Sequence, residues 1–102
     1  MILPTIHLNG TAAEDLRDMH LKAADAVAVA IDALRLTAPH GRDFYSQDAE
    51  FGYGGSAFSI ARNEYMIRLV SLEVTLDDLM NIAKHCQEAL DEIEARKAKA
   101  QS

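Results

Sequence analysis

Tyr65, Leu69, Leu72, Leu76, Leu79, Ala83, Cys86, Leu90 and Ile93 are separated by alternating steps of four and three residues. Four heptads without a miss place these side chains in one line along one face of an α-helix. The spacing predicts a helix over about 57–98. Ile60, Ile67 and Val74 add a second apolar line beside the first. Glu64 with Arg68 and Glu92 with Arg96 form favourable i,i+4 pairs on the solvated side. One stretch pulls the other way: "SLEVTL" alternates like a strand, and "TLDD" could cap a new helix at Thr75.

An earlier helix, over about 12–37, is predicted from "NGTAAEDL". Thr11 can cap it and Glu14 can reach back three residues, a capping box. Leu16, Met19, Ala23, Val27, Ala30 and Leu34 then recur at spacings of three and four, while "AADAVAVAIDA" is alanine-rich on several sides. Asp18, Asp25 and Asp32 recur every seven residues on the outer face. Pro39 ends the helix, since it disfavours helical geometry at Ala38 and has no N–H to donate. The opening "ILPTIHL" is extended in composition and is expected to pack across the helices or pair with a partner chain.

The expected fold is therefore all-α, a single domain built as a long antiparallel helical hairpin with a short extended N-terminus. At about 1.5 Å per residue the second helix outruns the first by roughly 25 Å, which would leave part of its apolar seam bare. Self-association into a dimeric four-helix bundle or a higher oligomer is the expected remedy, with Tyr65, Leu69, Leu72, Leu76, Leu79, Cys86, Leu90 and Ile93 as interface residues.

A chain of 102 residues with net charge −6, spread evenly along its length, offers no basic stripe for direct nucleic-acid binding. No segment is apolar for long enough to span a bilayer, and the N-terminus lacks the basic region of a secretory signal. One cysteine, Cys86, on an apolar helical face, reads as a small core residue in a reducing cytoplasm. The four histidines lack ligand spacing for a metal, so no metal or cofactor is expected, and His20 and His85 read as boundary residues.

The connection between the helices, "APHGRDFYSQDAEFGYGGS" at 38–56, is unusual for a link. It holds four of the six aromatics and four of the five glycines. His40 and Arg42 offer cationic donors, and Arg42 can grip a phosphate bidentately. Tyr45 and Tyr53 offer faces for stacking, and Gly54 and Gly55 let backbone N–H groups approach an anion at a helix start. The competing reading is that these aromatics plug the end of a bundle, with Arg42 paired to Asp43 or Asp48.

"LPTIHLNGT" at 3–11 followed by "APHGRDFY" at 38–45 resembles a group of small hypothetical proteins encoded by bacteriophages and prophages. Those chains share an extended opening, a capped helix, a glycine–arginine–aspartate–aromatic loop and a second long helix. The group has no established activity, so the resemblance implies no catalytic residues. It implies an accessory protein that acts by binding. Such proteins sequester nucleotide signals of host defence, as helical anti-CBASS sponges do, block a host protein, or assist assembly. The reading is a non-enzymatic binding protein of the host bacterial cytoplasm, taking a nucleotide-like anion or a host protein through its 40–56 loop. A structural accessory of a phage is the alternative. A third reading rests on "EDLRD" and "EALDE", which resemble the paired carboxylate motifs of magnesium-dependent all-α nucleotide pyrophosphohydrolases. Their separation exceeds that family's, and its intervening helix is missing unless the chain breaks at Thr75.

Overall fold

The computed structural model describes residues 1–6, 10–44 and 57–101. Among the described residues the regular structure is wholly helical. Helix α1 spans Gly10–Arg35, one turn of 3-10 helix spans Gly41–Phe44, and helix α2 spans Ala57–Gln101. Helix α2 passes through Thr75 without interruption. Leu72, Leu76 and Leu79 keep their helical spacing across that point, and this outweighs a six-residue alternation. Helix α1 begins at Gly10, so Thr11 lies inside its first turn and not at the cap. Glu14 is exposed and faces Arg17 at 3.9 Å.

Chain contacts divide the protein into two compact units. The first comprises Met1–Ala28 and Thr75–Ser102. Its buried residues are small: Ala13, Ala24, Ala83 and Cys86. Side chains of this size let two helix backbones approach closely, because interaxial distance follows what stands between them. Arg17 reaches Gln87, while Leu21, one turn further along α1, lines a groove with Met80 and Ala83. The two helical segments of this unit therefore run in opposite directions. The N-terminal arm also joins it. His85 Nε2 donates to the Pro4 carbonyl at 3.0 Å, and Pro4 and Ile6 are half-buried.

The second unit comprises Val29–Val74. Here the buried residues are larger: Ile31, Tyr65 and Leu69, with Ala57 at the start of α2. Helix α1 closes in this unit with a tightened last turn. The Leu36, Thr37 and Ala38 amides donate to the Ala33, Leu34 and Arg35 carbonyls, and Thr37 Oγ1 adds a 2.7 Å bond to Leu34. These bonds satisfy carbonyls that the helix itself leaves without donors, and Pro39 follows.

The buried face of α1 is rotated from the expected one. Met19 is 63% exposed and Ala30 is exposed, whereas Ala13, Ala24 and Ile31 are buried and Leu16, Ala23, Val27 and Leu34 half-buried. In an alanine-rich helix several faces can meet a neighbour, and packing favours the one that best fits the facing surface. Among the described residues, no helix is long and apolar enough to cross a membrane.

Candidate functional site

Three places carry side-chain chemistry. The first is the turn that follows α1. His40, Gly41, Arg42 and Asp43 are all exposed there. The turn is fixed locally: the Asp43 amide donates to the His40 carbonyl at 3.0 Å, and the Arg42 amide donates to His40 Nδ1 at 3.2 Å. With Nδ1 accepting, the neutral ring carries its proton on Nε2, which remains a donor. Arg42 makes no ion pair among the described residues, so the expected pairing with Asp43 is not formed. Arg17, Arg35, Arg68 and Arg96, in contrast, each hold a carboxylate within 4.0 Å. Of the six residues expected to bind a ligand, His40 and Arg42 lie in this turn. Tyr45, Tyr53, Gly54 and Gly55 lie outside the described residues, as does Asp48.

The second place is a polar bridge in the first unit. The Arg17 guanidinium holds Asp18 at 2.9 Å and donates to Gln87 Oε1 at 2.8 Å. Gln87 Nε2 in turn donates to Asp91 at 2.9 Å. This chain of contacts ties α1 to α2 beside an open apolar groove of about 210 Å³ lined by Arg17, Leu21, Met80, Ala83, Lys84 and Gln87. It also occupies the acidic motifs: Asp18 and Asp91 belong to the bridge, and Glu92 pairs with Arg96 at 2.7 Å. Asp15 and Glu88 are exposed. Among the described residues no three of histidine, cysteine, aspartate and glutamate stand close enough to hold one metal ion.

His20 and His85 both have partners. His20 Nδ1 contacts the Leu16 carbonyl at 2.7 Å, and a carbonyl only accepts, so that nitrogen carries the proton. The His85 bond to Pro4 fixes its proton on Nε2 by the same reasoning. Cys86 is fully buried, and burial raises its thiol above the ordinary range, a shift that nearby Arg17 partly offsets. A neutral, covered thiol is a packing residue and a poor nucleophile.

The third place is apolar. Tyr65, Leu69 and Cys86 of the expected interface are buried by the chain's own residues, and Leu72, Leu76, Leu79, Leu90 and Ile93 are half-buried. The heptad seam is thus covered within the chain at three of these positions and partly open at the other five. What stays open is the second line: Ile60, Met66, Ile67, Val70 and Val74 are all exposed. The spacing of Ile60, Ile67 and Val74 is visible in the sequence, but within 57–74 nothing in it tells which of the two opposite lines is the covered one. The Arg17–Gln87 bridge gives no sequence signal at all, because its partners are 70 positions apart. No family model, no curated protein and no solved structure matches this chain.

Proposed function

We propose that this chain is a non-enzymatic helical binding protein of phage type that acts as an oligomer and takes an anionic, nucleotide-like ligand, or else a host protein, through its 40–56 loop. The observation that supports this reading is Arg42. In a chain of net charge −6, it stands exposed in a turn fixed by hydrogen bonds, with no carboxylate paired to it among the described residues. A planar guanidinium of that kind is suited to bidentate capture of a phosphate, and His40 Nε2 supplies a second donor two residues away. Tyr45 and Tyr53 are assigned to stacking on the sequence pattern. Sequestering a nucleotide signal of host defence is the biological role that fits such a site.

Isothermal titration calorimetry with a panel of mono-, di- and cyclic nucleotides tests the reading. Binding by the wild type that disappears in Arg42→Ala combined with Tyr45→Ala, with helicity unchanged by circular dichroism, is the expected result. Equal affinity in that double variant would remove the site. A second reading, a structural or assembly accessory, draws on the exposed Ile60–Ile67–Val74 line, because a bare apolar stripe on a small protein marks a contact surface. That reading predicts assembly with no nucleotide bound in either form.

A further inference from the structure

Charge that is spread evenly along the sequence is gathered to one place by the fold. Residues 14–25 carry four acids and two bases, and residues 77–91 carry four acids and one base. These two stretches therefore hold a net −5 of the chain's −6. Both belong to the first unit, where they form the walls of the groove described above.

The groove has an apolar centre and acidic borders. Leu21 of α1 and Met80 of α2 stand in it 37% and 46% exposed, with Ala83 buried beside them. On α1, Asp18 and Asp25 lie three residues before and four after Leu21, and so share its side of the helix. On α2, Asp77 lies three residues before Met80, Glu88 four after Lys84, and Asp91 four after Gln87. All five acids are exposed. Asp25, Asp77 and Glu88 make no ion pair among the described residues. The neighbouring cations are fewer. Arg17 is already held by Asp18 at 2.9 Å and faces Glu14 at 3.9 Å, which leaves Lys22 and Lys84.

These features select the occupant. The space is about 210 Å³, below the roughly 300 Å³ at which small-molecule sites begin, so it suits protruding side chains of a larger partner. Asp77 to Asp91 covers about 21 Å of helix, an acidic border longer than a small cation. Nucleic acid carries the wrong sign for it. A helix with an apolar stripe flanked by lysine or arginine matches both the centre and the borders, and the pliant Met80 adapts to the anchors it brings.

We propose that the groove between α1 and α2 docks a basic amphipathic helix of a partner protein, its apolar stripe seated on Leu21 and Met80 and its cations on Asp25, Asp77 and Glu88. The surface includes neither His40 nor Arg42, so it goes beyond the reading of the 40–56 loop.

Fluorescence anisotropy with a labelled leucine–lysine model helix tests it, beside a scrambled peptide of the same composition that has no apolar face. The wild type should bind the helix about tenfold tighter than the scrambled form, with an affinity that falls as salt rises. Asp25→Lys combined with Asp77→Lys should weaken binding about tenfold, and Met80→Ala should weaken it at low and high salt alike. Arg42→Ala should bind as the wild type does. All these positions are exposed, so helicity should be unchanged in each variant. Equal affinity for the helix and the scrambled peptide, or indifference to the Asp25–Asp77 reversal, would overturn the groove. Loss of binding in Arg42→Ala would overturn it in favour of the loop. No binding by the wild type would also overturn it, while the nucleotide titration would still decide the loop.

Discussion

Within residues 57–74, one helix carries two apolar lines that have met different fates. Tyr65 and Leu69 are buried against the chain's own residues, while Ile60, Ile67 and Val74 face outward. Both lines have helical spacing, and β-branched residues favour the exposed one, so apolar character alone does not decide which is covered. The difference lies in what continues them. At the same spacing the exposed line runs on into Asp77, Asn81, Lys84 and Glu88, which would have to be desolvated if α1 packed along it. The covered line continues through Leu72, Leu76, Leu79, Ala83 and Cys86, and offers a longer uncharged run to pack against. A helix chooses its intramolecular face by how far the apolar line extends as much as by how apolar it is locally.

The sharpest way to break that comparison is to truncate both lines equally. Leu69→Ala should lower unfolding free energy by about 2–5 kcal/mol in urea titration, whereas Ile67→Ala should change that of the isolated chain by less than about 0.5 kcal/mol. Equal effects would mean that the two faces are not distinct. Next in size is Ala24→Leu. Ala24 is buried among small residues in the first unit, so the larger side chain should cost about 1–3 kcal/mol by overpacking, while Ala30→Leu on the exposed side of the same helix should not. Arg17→Ala removes the donor to Gln87 together with a packed aliphatic stem, from a side chain 24% exposed. A loss of about 1 kcal/mol is expected, little changed by salt, because the stem and a neutral acceptor carry most of it.

The smallest effect concerns pH. The folded Cys86 thiol is raised above that of the unfolded chain, so its contribution is fully present at neutral pH and is lost as the pH rises above the unfolded thiol's range, about 8.5. Cys86→Ala should flatten the stability profile there. The native thiol should also label far more slowly than the unfolded one.

Most of the architecture was legible because long periodic stretches carry their own helix signal. The start of α2 at Ala57 and the Glu64–Arg68 and Glu92–Arg96 pairs follow directly from spacing. The face of α1 was not, since its alanines present similar surfaces on several sides and only the burial of Ala13 and Ala24 marks the packed one. The heptad spacing marks the apolar seam but not its degree of cover: Tyr65, Leu69 and Cys86 are buried, the other leucines and Ile93 are half-buried, and the N-terminal arm joins through Pro4. Of the candidate ligand site, the sequence places His40 and Arg42 in a turn, and the structure adds the bonds that hold it. Spacing alone could not supply that geometry, because 3-10 turns have no long-range period.

The central claim is that α2 packs one apolar face within its own chain and leaves the opposite one exposed. Urea titration of Leu69→Glu beside Ile67→Glu, at low protein concentration, tests it most directly. The account predicts that Leu69→Glu unfolds the chain, while Ile67→Glu keeps the helicity and the unfolding midpoint of the wild type. The same loss in both variants would contradict it.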